Sequence, residues 1–384
     1  MPSRMRGIAP ALGAVLGLWG AAPAVAQPVP TFPNQTYATI GGRALQLDVY
    51  LPVGTGPFPC VVWVHGGGWQ SGERFPPGPA LQLLPRGIAV ASVSYRLTSE
   101  AGQWGGEPVT FPAQIHDVKG AIRFLRANAA AYQLNPARFG AWGSSAGGHL
   151  VALAGTSGND PSLEGTVGGN LDQSSALQAI GDYFGPTDII NINLDVTTPP
   201  GSTINHDAFN SPESKLVGWD DPGQGIGDIR ANLANPAAPY PALVALCNQV
   251  NSITFVDPAD PPFYIAHGTA DTSVPIMQST RLSNALGAAG VFRDYRQIAG
   301  AGHGGLGQAT DTGAVNFFAH FLLPPVCLGD HDHNGSIGLG DIAPVVQHWG
   351  TSVPPGTLGD SNGDGFVGLA DIAFVVEHWG ELCV

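Results

Sequence analysis

Four short segments carry side chains of the kinds that do acyl-transfer chemistry. Gly143-Ser144-Ser145-Ala146-Gly147 is a G-x-S-x-G pattern. Its small residues permit a sharp strand-to-helix turn that holds the central serine hydroxyl at the apex, and a helix starting there favours developing negative charge. His65-Gly66-Gly67-Gly68-Trp69 sets three glycines in a row, so that backbone N–H groups can converge on one acceptor without Cβ obstruction. His267-Gly268-Thr269-Ala270-Asp271 and Gly300-Ala301-Gly302-His303-Gly304 follow later in the chain, completing the order serine, acid, histidine. Ser145 is therefore expected as nucleophile, His303 as general base and Asp271 as the carboxylate that orients the imidazole. The N–H groups of Gly67, Gly68 and Ala146 are expected to hold an oxyanion. Asp188, in Gly185-Pro186-Thr187-Asp188, is a rival acid that follows an earlier apolar segment and lies farther from His303 in sequence. His65 reads as a positioning residue, and His116, His149 and His320 read as structural.

A second chemistry lies at the carboxyl end. Residues 328–350 and 358–380 align with 14 of 23 positions identical, an internal duplication. Each copy opens with an oxygen-rich twelve-residue loop. In the first, Asp330, Asp332 and Asn334 take positions 1, 3 and 5, Gly335 position 6 and Asp341 position 12; the second repeats this as Asp360, Asn362, Asp364, Gly365 and Asp371. Alternate side chains on a loop wrapped around one centre can all face a hard cation, with the backbone carbonyls of Ser336 and Phe366 at position 7. Two Ca²⁺ ions are the expected occupants. The tail histidines His331 and His333 fall at non-ligand positions. After each loop, Ile342, Val345, Val346 and Trp349, and then Ile372, Val375, Val376 and Trp379, recur on one helical face.

These groups need a scaffold, and the chain alternates between two periodicities. Residues 60–64, 88–95, 138–142, 179–184, 263–266 and 292–298 are short runs rich in Val, Ile and aromatics. Helical spacing appears between several of them: Ile115, Val118, Ile122 and Leu125 share a face, and 146–154, 279–288 and 316–323 read as helices. This alternation predicts an α/β fold with a doubly wound, mostly parallel sheet. The loops singled out above all follow strands, where such sheets carry their function. Residues 191–260, rich in Asn, Gly, Pro and Asp, read as an insert governing substrate choice; Phe209, Trp219 and Tyr240 are its possible aromatic lining, with ordinary loop packing the simpler account.

At the amino terminus Arg4 and Arg6 precede an apolar run from Ile8 to Ala22, and Ala24-Val25-Ala26 follows. That is the pattern of a secretory signal peptide over residues 1–26, too short and too rich in Gly and Pro for a membrane span. The expected organisation is therefore a signal, a catalytic domain over 27–325 and a small all-α calcium-loop domain over 327–384. Export permits disulfides, and Cys327 and Cys383, bracketing the tail, are expected to pair. Asp and Glu outnumber Lys and Arg by 29 to 15, which excludes a broad nucleic-acid-binding surface. The excess is uneven, because no Lys or Arg follows Arg296 and eight acids lie beyond residue 326. Glycine and proline are abundant, but 43% of residues are hydrophobic, which is enough for a large core.

HGGGW, GSSAGGHL, GPTD, HGTADTSVP and GAGHG, in this order and spacing, resemble the α/β-hydrolase esterases of the HGGG type. They are most similar to the feruloyl-esterase-like branch that also holds acetyl xylan esterases. The resemblance covers roughly residues 35–323 and implies the same roles for Ser145, Asp271 and His303. The duplicated tail resembles a type I dockerin, with Asp in place of the EF-hand Glu at position 12 and one helix per loop. Gly338 and Gly368 depart from that pattern at position 9. The resemblance implies a cohesin-bearing scaffold as partner. The reading that follows is a secreted serine carboxylesterase acting on acetyl or feruloyl esters of plant cell-wall polysaccharide. A prolyl-oligopeptidase-type peptidase and an inert, cohesin-binding protein are the alternatives.

Overall fold

The computed structural model describes residues 29–158, 160–196, 201–323, 329–331, 337–353, 359–362 and 364–380. The expected signal segment 1–26, the expected Cys327–Cys383 pairing and the first-loop positions Asp332, Asn334 and Ser336 lie outside these residues.

Eight strands form one sheet: β1 (Phe32–Ile40), β2 (Arg43–Tyr50), β3 (Phe58–Val64), β4 (Ala89–Val93), β5 (Leu134–Ser144), β6 (Ala179–Tyr183), β7 (Phe263–Gly268) and β8 (Arg293–Ile298). Their order is β1-β2-β4-β3-β5-β6-β7-β8. From β4 to β8 every pairing is parallel, whereas β1–β2 and β2–β4 are antiparallel. Every residue of β3, β4, β6 and β7 is buried, as a sheet covered on both faces requires. Successive residues serve opposite faces: Val62 and Val64 pack into one apolar cluster, Val61 and Trp63 into the other. The antiparallel hairpin β1–β2 was not among the expected strands. It turns at Gly41-Gly42, both at positive φ, the backbone that a two-residue hairpin needs.

Ten α-helices lie among the described residues, with five short 3₁₀ helices besides. The α-helices are α1 (Ala113–Ala127), α2 (Ala146–Thr156), α3 (Ile192–Asp195), α4 (Pro212–Val217), α5 (Ile226–Ala231), α6 (Tyr240–Val250), α7 (Met277–Ala288), α8 (Gln308–Leu322), α9 (Ile342–Gln347) and α10 (Leu369–Glu377). All eleven residues of α2 are buried, which accounts for its lack of charge. Helix α8 starts at Gln308, well before the apolar stretch that marked it in the sequence. The insert is built of the short helices α3 to α6. In the tail the expected apolar stripe divides. Val345 and Val375 are fully buried, while Val346, Trp349, Val376 and Trp379 are exposed. The two copies interlock: Gly350 N–H donates to Val367 O (2.8 Å), and its counterpart Gly380 N–H donates to Ile337 O (2.9 Å). Among the described residues no helix is long and apolar enough to cross a membrane.

Candidate active site

Strand β5 delivers Ser145 to the sheet's carboxyl edge. The residue sits between β5 and α2 at φ 56° and ψ −124°, a sparsely populated conformation held by its surroundings. Its N–H donates to Tyr183 O (2.8 Å). The turn leaves no room for side chains on either flank. A Cβ on Gly143 would lie 2.3 Å from Gly147 O, and one on Gly147 would lie 2.1 Å from Val64 O.

Strands β7 and β8 deliver the partners. Ser145 Oγ lies 2.9 Å from His303 Nε2, and His303 Nδ1 lies 2.7 Å from Asp271 Oδ2. Burial alone would raise the pKa of Asp271, which is 2% exposed. The hydrogen bonds from His267 and His303 outweigh it and hold the carboxyl well below the usual range. An ionised Asp271 accepts from His303 Nδ1–H, which leaves Nε2 free to accept from Ser145 Oγ–H. The other carboxylate oxygen takes the N–H groups of Ser273 (2.8 Å) and Val274 (3.0 Å). Asp188 faces elsewhere: Asn191 Nδ2 donates to it at 2.8 Å, and Arg281 stands 3.7 Å away.

Sequence reasoning overlooked His267. Its Nε2 lies 3.2 Å from Asp271 Oδ2 and 2.9 Å from Val274 O, while Nδ1 lies 2.8 Å from Ser279 Oγ. With two acceptors facing Nε2, that nitrogen carries the proton, and Nδ1 accepts from the serine. The available signal was its place four residues before Asp271, in the same loop motif.

The glycine loop lies against Ser145, since a Cβ on Gly66 would lie 3.1 Å from the serine Cβ. Gly67, Gly68 and Trp69 all have positive φ, and Gly67, Gly68 and Ala146 line one cavity with Ser145 and His303. Buried Trp69 donates from Nε1 to His149 Nδ1 (3.2 Å), and His149 Nε2–H donates to Val250 O (2.8 Å) at the end of α6. Burial pushes His149 down to about 4. His65 stacks on Tyr95, whose hydroxyl donates to His65 O (3.0 Å). His116 is half-buried on α1 and His320 is exposed on α8.

The cavity measures about 590 Å³, and the insert contributes Ile204, His206, Pro212 and Glu213 to its wall. A second cavity of about 460 Å³ adjoins it across Phe184 and Gly304, lined by Trp63, Tyr183 and Asp311. Phe209, Trp219 and Tyr240 line neither. Trp219 and Tyr240 both bond the Asp228 carboxylate, which fixes them as packing within the insert, and Phe209 is exposed.

In the tail, Asp360, Asn362 and Asp364 precede α10, and Asp371 lies in the first turn of that helix. Asp360 and Asp371 are fully buried. Asp371 accepts from the N–H groups of Ser361, Asn362 and Gly368, and Asp360 from those of Asp364 and Gly365. Asp341, the counterpart of Asp371, accepts from Gly338 N–H (2.8 Å), and Asp330 is also buried. Phe366 bridges to Ser352. Among the described residues no group of three or more His, Cys, Asp or Glu side chains is arranged to hold a metal ion.

Residues 47–286 match the BD-FAE family. An esterase from Mycobacterium tuberculosis, LipQ, is 31% identical over 270 residues, which are 68% of this chain and 55% of the relative. The chain spans about half the length of such relatives, the esterase LipC of the same organism among them. Among solved structures, a truncated carbohydrate esterase from gut microbiota superposes with a TM-score of 0.61 and 29% identity, covering 77% of this chain and 98% of that one. A bifunctional GH43-CE protein of Bacteroides eggerthii gives 0.60 and 34%, covering 75% of this chain and 37% of that one.

Proposed function

Because this chain belongs to the BD-FAE family of α/β-hydrolases, we propose that it hydrolyses carboxylic esters through an acyl-enzyme on Ser145. The observation that carries this reading is the continuous hydrogen-bonded line from Ser145 Oγ through His303 to Asp271, at 2.9 and 2.7 Å. Ser145 Oγ attacks the ester carbonyl carbon while His303 Nε2 takes the hydroxyl proton. Asp271 keeps Nδ1 protonated and steadies the imidazolium that forms. The N–H groups of Gly67, Gly68 and Ala146 receive the negative charge that builds on the carbonyl oxygen. His303 then protonates the departing alcohol. In the second half it takes a proton from water, whose oxygen attacks the acyl carbon, and then gives that proton to Ser145 Oγ as the acyl bond breaks and the acid leaves. Ser145→Ala should lower hydrolysis of a short p-nitrophenyl ester by about 10⁴-fold or more. Turnover close to wild type would end the assignment.

The substrate in this reading is an acetyl or feruloyl ester on plant cell-wall polysaccharide. The roomy cavity and the 29% identity to a carbohydrate esterase support that class. A panel of acetylated xylan, methyl ferulate, short aliphatic esters and a peptide ester distinguishes the acyl groups. The basic start and A-x-A site support export through a signal over residues 1–26. Residues 327–384 are read as a dockerin-like calcium module that tethers the catalytic domain of 27–325 to a cohesin-bearing scaffold. Asp360, Asn362, Asp364, Asp371 and the Phe366 carbonyl would hold one Ca²⁺. Asp330, Asp332, Asn334, Asp341 and the Ser336 carbonyl would hold the other. The donor chemistry supports this reading: these are hard oxygens, Asp341, Asp360 and Asp371 are fully buried, and no Lys or Arg follows Arg296. When bound, the ions supply positive charge to those carboxylates, and they take no part in ester hydrolysis.

A further inference from the structure

One ionisable pair from the insert stands in the wall of the catalytic cavity. His206 is 1% exposed and Glu213 is 2% exposed, yet both line the space that holds Ser145 and His303. His206 Nδ1 lies 2.9 Å from Glu213 Oε1, and its Nε2 lies 3.3 Å from Ser202 Oγ. The insert is fastened here to the loop of the catalytic acid. Thr203 N–H donates to Thr272 O (2.7 Å), and Ser202 Oγ donates to the same carbonyl (3.1 Å). Pro212, next to Glu213, leans on the glycine loop, since a Cβ on Gly68 would lie 3.4 Å from Pro212 Cβ. The pair is thus held between the oxyanion loop and the acid loop by both neighbours.

One bond is missing. Glu213 Oε2 is buried and has no hydrogen-bond partner among the described residues. A buried carboxylate oxygen without a donor is costly, and Glu213 stands in the wall of the cavity that a substrate would enter. We infer that Glu213 is a specificity-determining residue whose Oε2 accepts a hydrogen bond from a hydroxyl group of the bound substrate. His206 holds the carboxylate in place for that bond. The inference rests on the ester-hydrolase reading. The single vacant acceptor selects a hydroxyl over an ammonium, which presents three donors. No second acidic residue lines the cavity to meet them among the described residues.

The hydroxyl belongs either to a sugar on the alcohol side or to a phenol on the acyl side, and matched pairs separate the two. The alcohol side is read with methyl 2-O-acetyl-β-xyloside against its di-O-methyl ether, and the acyl side with methyl 4-hydroxycinnamate against methyl 4-methoxycinnamate. In one pair the full-length wild type should prefer the hydroxyl member in kcat/KM by about 10- to 100-fold. Glu213→Gln, which can turn an N–H toward the cavity, should erase most of that preference. Glu213→Asp, which keeps the charge but shortens the reach, should leave part of it. Equal losses on both members of a pair, with the ratio intact, would make the pair structural and overturn the assignment. So would a wild type that cleaves 4-nitrophenyl acetate but shows no preference in either pair, with the esterase reading left standing. A wild type that cleaves none of these esters would overturn both.

Discussion

Asp188 and Asp271 both follow strands at the edge of the sheet where a carboxylate could serve His303, and what donates to each decides between them. Asp271 receives His303 Nδ1 at 2.7 Å, His267 Nε2 at 3.2 Å and two backbone N–H groups, all of which favour the ionised form. Asp188 is occupied by Asn191 and stands near Arg281. Asp271→Asn should therefore lower kcat by about 10⁴-fold, because an amide at this point favours the wrong tautomer of His303. Asp188→Asn should stay within about threefold of wild type in kcat/KM, as expected for a residue outside a triad. Kinetics on one p-nitrophenyl ester settle the pair, and a reversed ranking would move the acid to Asp188. The line from Ser145 through His303 to Asp271 was legible because each member sits in a glycine-marked loop after a strand, although β8, the strand before His303, is mostly polar. His267, His206 and Glu213 were not. Their roles depend on side-chain contacts that only the folded backbone makes, His206 with a carboxylate seven residues on and His267 with a serine on α7.

At the level of elements, His149 ties the oxyanion loop, the elbow helix α2 and the insert helix α6 into one unit. Its Nδ1 must stay unprotonated to accept from Trp69, and burial holds the ring near 4 against an ordinary 6.5. Between those values the unfolded chain binds the proton and the folded chain does not. The stability from a neutral His149 is therefore complete above about pH 6.5 and is lost as pH falls toward 4. Asp182 works in the opposite sense: burial raises it from 3.8 to about 6, so its protonation favours the folded state as pH falls. The effect of His149 is thus read as a difference between proteins. Relative to His149→Gln, the wild type should lose about 2 kcal/mol of unfolding free energy between pH 7 and pH 4.5. Parallel urea midpoints for the two proteins across that range would remove His149 from this role. The elements themselves differed in legibility for a physical reason. Strands buried on both faces, such as β3 and β7, are continuous apolar runs. In β2 only one side is fully apolar, with Leu45, Leu47 and Val49 alternating with polar residues, and its turn signal was two glycines. Helix α8 opens on Gln308, Thr310 and Asp311, so its apolar half alone marked it in the sequence.

Across the whole molecule the charge is partitioned, and the partition carries a consequence. The net charge of −14 falls heavily on the tail, where eight acids stand without a single Lys or Arg. Within it, Asp360 and Asp371 are fully buried on backbone N–H groups. Buried negative charge with no basic side chain in the segment is offset most simply by a bound cation, and the calcium reading rests on that balance. The two copies exchange equivalent backbone bonds, Gly350 to Val367 and Gly380 to Ile337, so each copy completes the other. Calcium removal should therefore loosen both copies at once. Trypsin cannot report this, because no Lys or Arg follows Arg296; chymotrypsin can, at Trp349, Phe366, Phe374 and Trp379. With EGTA, all of these sites should become cleavable while hydrolysis of a p-nitrophenyl ester persists. Asp371→Ala should make the sites of both copies cleavable even with calcium present, since three N–H groups lose their acceptor and the partner copy loses its bond from Gly380. Cleavage confined to the second copy would mean that the repeats fold independently. Resistance unchanged by EGTA would remove calcium from the tail, and loss of esterase activity together with the tail would join both segments into one cooperative unit.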